Sequence, residues 1–175
     1  MPLEELKEKI HVYEDFPIEG ISFKDINSVL IDPDAFTEVI DTYFKFAKAL
    51  DINKICAPES RGYFFASPLA YLLKVALVPV RKPGKLPGIV ETESYSLEYG
   101  ENIVQIQEHA VEPGDRVLII DDLLATGGTM KATCNLVERL GGEVAGALFL
   151  IELEELKGRE LLKEYTIKSL VRYDR

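Results

Sequence analysis

The chain has 175 residues, 47% of them apolar, and a mean hydropathy of +0.02; this describes one globular domain burying roughly two-thirds of its unfolded surface and is too apolar for a disordered chain. A formal charge of −10 argues against a protein that holds nucleic acid by general electrostatics. The longest apolar runs, Val117–Ile120 and Val144–Ile151, are too short to cross a bilayer, and the mixed-charge start MPLEELKEKI offers no apolar core for a secretory signal. Cys56 and Cys134 each sit among apolar neighbours and read as buried, reduced thiols of a cytoplasmic protein.

Leu3, Leu6 and Ile10 follow helical spacing, and a loop with Pro17 and Gly20 leads into GISFKDI. Asp32-Pro33 predicts a capped helix start, because aspartate accepts the free N–H groups and proline suits the first helical position. Behind it Phe36, Val39, Ile40, Tyr43, Phe44, Ala47 and Leu50 form one apolar stripe. KICAP then predicts a strand, GYFFASPLAYLL an apolar helix and ALVPV a further strand. A long loop is expected from Lys82 to about Glu101, opening on the basic cluster RKPGKLPG. NIVQIQ and RVLIID predict two strands, the second buried. Thr133, Leu136, Val137 and Leu140 line a helix that Gly141-Gly142 closes, and VAGALFLIEL, a short helix and SLVRY complete the chain. Alternating strands and helices with continuous apolar strands predict an α/β fold, a mostly parallel sheet with helices on both faces. No internal repeat or linker divides it, so a single domain over 1–175 is expected.

Ligands of such sheets bind outside the carboxyl ends of the strands, where RVLIIDDLLATGGTM places its polar residues. Gly127 and Gly128 allow a tight turn and close backbone approach, and the helix starting near Gly128 offers free N–H groups to an anion. Ala125, Thr126, Gly127, Gly128 and Thr129 therefore form a cradle for a phosphate monoester. Asp121 and Asp122 would repel that phosphate if they faced it, so they are assigned to neighbouring hydroxyls. A ribose 5-phosphate satisfies both requirements. Neither the P-loop pattern nor the dinucleotide G-x-G-x-x-G occurs.

VLIIDDLLATGGT resembles the phosphoribosyl-diphosphate motif of the type I phosphoribosyltransferases. The likeness extends to the adenine phosphoribosyltransferases through APESRGY (pyrophosphate loop), RKPGKLPG with SYSLEYG (flexible loop), FPIEGISFKDI (base-binding hood) and ELKGRE (C-terminal segment). It implies a hood over about 1–30 with C-terminal contributions, a lid over about 82–100, and AMP formation from adenine and 5-phosphoribosyl 1-diphosphate (PRPP) with Mg²⁺. By the same resemblance Glu98 is the catalytic carboxylate and Arg61 contacts pyrophosphate together with Ser60, Arg81, Lys85 and Tyr99. Ser22, Phe23, Lys24 and Leu153 are assigned to adenine. Mg²⁺ keeps substrate and water oxygens, so no protein metal ligand is expected.

The resemblance further implies a homodimer, with no nucleic-acid or membrane partner. A strained peptide is expected around Glu59-Ser60-Arg61, where backbone must approach pyrophosphate. Tyr63 stands where the family often has Phe, and Glu91 and Glu93 put acids beside a polyanion-binding loop. Two other readings stay open: a 6-oxopurine phosphoribosyltransferase, and a regulatory protein that binds PRPP without turnover. His11 and His109 fit no catalytic constellation.

Overall fold

A computed structural model describes residues 3–97 and 100–174. Its centre is a five-stranded sheet in the order β4-β3-β7-β8-β9, every pairing parallel. The strands are β3 (Lys54–Pro58), β4 (Ala76–Val80), β7 (Arg116–Leu124), β8 (Glu143–Leu153) and β9 (Ile167–Tyr173). Period-two alternation divides their side chains between two cores. On β7, Leu118 and Ile120 join one apolar cluster, and Val117 and Ile119 join the other.

The first core lies under α1 (Leu3–Lys9), α3 (Pro33–Lys48) and α4 (Gly62–Leu73). Helix α3 starts as its sequence predicts, with Asp32 accepting from the N–H groups of Asp34 and Ala35, both at 3.1 Å. Its Val39, Ile40, Tyr43 and Ala47 are buried, and Tyr43 meets Phe65 of α4 edge to face at 6.1 Å. The second core lies under α5 (Gly128–Arg139) and receives Val104 and Ile106 from β6 (Gly100–Gln107). Both cysteines are free and buried. Burial pushes both thiols up, Cys134 to about 12, which disfavours the thiolate at each.

Two small antiparallel pairs complete the fold. Strands β1 (His11–Tyr13) and β2 (Phe23–Asp25), with α1 and α2 (Asn27–Leu30), fall within the region assigned to the hood. The second pair corrects the expectation of one long loop from 82 to 100. The loop ends at Ile89, and β5 (Val90–Leu97) pairs in full register with β6. VETESYSL carries no apolar alternation, so nothing local marks it as a strand. Its alternate acids instead turn to α5, where Glu93 accepts from Asn135 at 2.9 Å and pairs with Arg139, and Glu91 lies 3.5 Å from Arg139. Both acids beside the polyanion-binding loop are thus held against α5 by one shared cation, Arg139. A short α6 (Gly158–Leu161) precedes β9.

Candidate active site

A cleft of about 600 Å³ opens at the carboxyl ends of β3 and β7. Its lining joins Glu59, Ser60 and Arg61 after β3, Arg81 and Lys82 after β4, Asp121 and Asp122 on β7, Tyr95 from β5 and Thr129 from α5. A smaller recess of about 70 Å³ is formed by the cradle residues Ala125 to Thr129 together with Met130 and Phe149. Asp121 and Thr129 line both, so the two spaces adjoin.

The cradle is built as its residue types require. Gly127 precedes α5 at φ +85°, a left-handed conformation that disfavours side chains, and it makes no side-chain cap. The first N–H groups of α5 therefore have no side-chain acceptor from their cap and lie at the positive end of the helix dipole. A Cβ on Gly127 would stand 2.8 Å from the Gly158 carbonyl oxygen. That contact gives the ELKGRE segment a place: its glycine lies directly behind the cradle.

The two aspartates differ in role. Asp122 is 4% exposed, and its Oδ2 lies 3.0 Å from Arg61 Nε as an ion pair. The angle is not that of a hydrogen bond, and this buried oxygen keeps an unfilled acceptor position. Asp121 Oδ1 accepts from the N–H of Asp122 at 2.9 Å. Burial, and then the charge of Asp122, push the Asp121 carboxyl well above the usual carboxylate range.

Of the residues assigned to pyrophosphate, Ser60, Arg61 and Arg81 line the cleft. Lys85 stands outside that lining, exposed on the following turn, and its carbonyl accepts from Arg81 Nη1 at 3.3 Å. Glu98 and Tyr99 lie outside the described residues. The Glu59–Ser60 peptide, where an unusual backbone was expected, is cis. Tyr63 donates its hydroxyl to the Val80 carbonyl at 3.2 Å, so the departure from Phe fastens α4 to β4.

For the base, Phe23 is outside the lining of this cleft but beside one of its residues, its ring centroid 6.0 Å from the Arg61 guanidinium and 5.2 Å from the Phe16 ring. The side chains of Ser22 and Lys24 serve each other. Lys24 Nζ donates to Ser22 Oγ at 2.6 Å, and Ser22 Oγ donates to Glu14 at 2.8 Å. Any base contact from these two therefore falls to their backbone. Leu153 ends β8 and packs against the first core.

Three site residues escaped the sequence reading. Glu59 accepts from the Lys82 N–H at 2.6 Å and pairs with Arg81 at 3.2 Å. The Lys82 bond first, and then Arg81, hold its carboxyl below the ordinary range against the cost of burial. Lys82 also lines the cleft. Tyr95 packs its ring against Gly128 and accepts from Thr129 Oγ1 at 2.7 Å, which joins the β5–β6 pair to the cradle. Glu59 and Lys82 sit inside quoted motifs, but their partners lie more than twenty residues away and no local signal pairs them. Among the described residues, no three His, Cys, Asp or Glu side chains cluster to hold a metal ion. Among the same residues, no helix is long and apolar enough to span a membrane.

Comparison with known proteins agrees with this architecture. The sequence profile of the phosphoribosyl transferase domain matches residues 32–172. An adenine phosphoribosyltransferase of Clostridium perfringens is 53% identical over 97% of this chain and 98% of its own length; that of Alkaliphilus oremlandii is 54% identical over 97% and 99%. The solved adenine phosphoribosyltransferase of Thermoanaerobacter pseudethanolicus superposes with a TM-score of 0.91 at 50% identity, covering 98% of this chain and 99% of that one. The Saccharomyces cerevisiae enzyme, solved with an imino-altritol bisphosphate and adenine, gives 0.91 at 39% identity, covering 97% and 98%. With a family profile over most of its length and relatives above half identity, the chain belongs to the adenine phosphoribosyltransferase family.

Proposed function

We propose that this protein transfers the 5-phosphoribosyl group of PRPP to N9 of adenine, releasing AMP and pyrophosphate, in the cytoplasm and with Mg²⁺. The observation that carries the reading is the junction of recess and cleft at Asp121 and Thr129. A phosphate on the cradle puts its ribose over the two aspartates and its diphosphate toward Arg61 and Arg81.

In the reaction the bond from C1′ to the diphosphate oxygen breaks, the bond from N9 to C1′ forms, and the N9 proton leaves. Positive charge grows on the ribose and negative charge on the departing pyrophosphate. Arg61, Arg81 and Ser60 line the cleft, and the two cations with the backbone around Ser60 would stabilise the leaving group. Arg81 must give up part of its pairing with Glu59 to do so. The unfilled acceptor of Asp122 suits a ribose hydroxyl, which would remove an uncompensated buried oxygen. Phe23, beside Arg61, would offer a face for the purine, with Leu153 assigned to its other side and backbone groups near Ser22 and Lys24 to its edge. Glu98 is assigned to accept or relay the N9 proton.

The carboxylates and hydroxyl at the junction are hard oxygen donors that fit Mg²⁺, and with Arg61 already paired to Asp122 they would hold the ion through water and diphosphate oxygens. Bound there, it would neutralise charge on the diphosphate. Two buried, unpaired cysteines support a reducing compartment. A second copy of the chain is proposed to cover Phe64, Tyr71 and Leu72 of α4 and Leu77 of the edge strand β4, apolar side chains 37% to 83% exposed.

The test is product formation from PRPP and Mg²⁺ with adenine, hypoxanthine, guanine and uracil in separate reactions. AMP and pyrophosphate from adenine alone are expected, because a site pairing with a 6-amino group leaves polar atoms unpaired against a 6-oxo group. Turnover of the 6-oxopurines instead would overturn the base assignment. Tight PRPP binding without any nucleotide product would point to a sensor.

A further inference from the structure

The two sides of the base subsite proposed above come from distant parts of the chain: Phe23 and Lys24 on the hood strand β2, and Leu153 at the end of β8. Among the described residues, no hydrogen bond joins the two parts directly. Tyr173, the last residue of β9, touches both parts. In the parallel register it stands beside Leu153, and both side chains belong to the same apolar cluster. Lys24 Nζ lies over its ring, 4.9 Å from the centroid, and Lys7 Nζ of α1 lies over the same ring at 4.7 Å. Lys7 Nζ also donates to the Arg172 carbonyl at 2.7 Å, fastening α1 to β9.

Lys24 is only 5% exposed, unusual for lysine, and among the described residues it forms no ion pair with a carboxylate. The negative face of an aromatic ring is a favourable surface for a partly desolvated ammonium. The Tyr173 hydroxyl contributes nothing visible to this arrangement, being buried without a hydrogen-bond partner. The ring, not the hydroxyl, carries the contact.

We propose that Tyr173 is a positioning residue of the base subsite: its ring seats Lys24 and so sets the hood strand at working distance from Leu153. The inference rests on the assignment of adenine to Phe23 and Leu153. Without the ring, the hood spends less time in the competent position, and apparent affinity for the base falls by that fraction.

The experiment measures KM for adenine and for PRPP separately in wild type, Tyr173→Phe and Tyr173→Leu, with thermal unfolding alongside. Tyr173→Leu is expected to raise KM for adenine about fivefold to thirtyfold, the scale of one or two cation–π contacts. KM for PRPP should stay within about twofold, since the cradle and cleft are built from other elements. Tyr173→Phe should restore KM for adenine to within about twofold of wild type, because it removes only an unpaired hydroxyl. If the leucine variant does not fold, Lys7→Met, at an exposed helix position, should raise KM for adenine in the same direction by about twofold to fivefold. An unchanged KM for adenine in the leucine variant, equal rises for both substrates, or a phenylalanine variant as impaired as the leucine one would each overturn the role of the ring. If Tyr173→Leu does not fold and Lys7→Met leaves KM for adenine unchanged, the role is likewise overturned. Wild type failing to make AMP would overturn the assigned reaction itself, whereas AMP formation with no shift in the variants removes only Tyr173.

Discussion

Substituting Gly158 by alanine should damage the phosphate cradle although Gly158 lies behind it. Gly158 opens α6 against the back of the cradle, and a Cβ there would stand 2.2 Å from the Ala125 carbonyl oxygen, 2.9 Å from Leu124 Cδ1 and 3.0 Å from the Gly127 nitrogen. The Gly158 backbone is not left-handed, so alanine adds volume without backbone strain. Separating Cβ from the Ala125 oxygen to 3.0 Å requires a shift of at least about 0.8 Å, and the obstructing atom is main chain rather than the end of a flexible side chain. Overpacking of this kind costs about 1–3 kcal/mol, or a fall in melting temperature of about 2–12 °C for a domain of this size. The displaced carbonyl belongs to the first cradle residue, and a misplacement near 1 Å can cost about a hundredfold in rate. We therefore expect kcat/KM for PRPP to fall about tenfold to a hundredfold, with KM for adenine little changed. Initial rates with varied PRPP at saturating adenine, and thermal unfolding with and without ribose 5-phosphate, measure both effects. Glu160→Ala, exposed on the same helix, is the control that should leave both unchanged. Wild-type melting and wild-type kcat/KM in Gly158→Ala would refute the claim that this glycine is required by close approach.

Asp121 gives a prediction in which stability and activity part. A carboxyl whose folded pKa is raised binds more protons folded than unfolded, so stability falls as pH rises from its ordinary value through the raised one. Asp121→Asn should therefore melt at a higher temperature than wild type at pH 7–8 without ligand, with the gap closing below about pH 4, while kcat/KM falls. A lower melting temperature than wild type at pH 8 would contradict the burial argument. For Glu98, replacement by alanine should lower turnover about 10²- to 10⁴-fold while PRPP binding, followed by calorimetry, survives. An unaltered rate removes Glu98 from the mechanism.

Much of the site was legible because its residues are neighbours in sequence. RVLIIDDLLATGGTM carries its own strand, turn and helix start, and KICAP, ALVPV and GYFFASPLAYLL coincide with β3, β4 and α4 residue for residue. The reading failed at VETESYSL, whose strand conformation depends on pairing with β6 and whose acids are paid for by Arg139 and Asn135 of α5. Of the cations in RKPGKLPG, Arg81 and Lys82 line the cleft and Lys85 does not, a distinction that charge composition alone does not carry.

By itself the sequence determined the alternating elements, the glycine turn into α5 and the paired aspartates at the strand end, because hydrophobic period, glycine conformation and helix capping act over a few residues. Only the tertiary structure decided that Arg61 pairs with Asp122, that Glu59 holds Arg81, that Tyr95 rests on the cradle, that Gly158 lies behind it, and that Tyr173 carries Lys24. Apart from Glu59 and Arg81, 22 residues apart, these partners are separated by 30 to about 150 positions. What brings them together is burial of two apolar faces of one sheet, and a local pattern carries no record of which distant residue that burial will deliver.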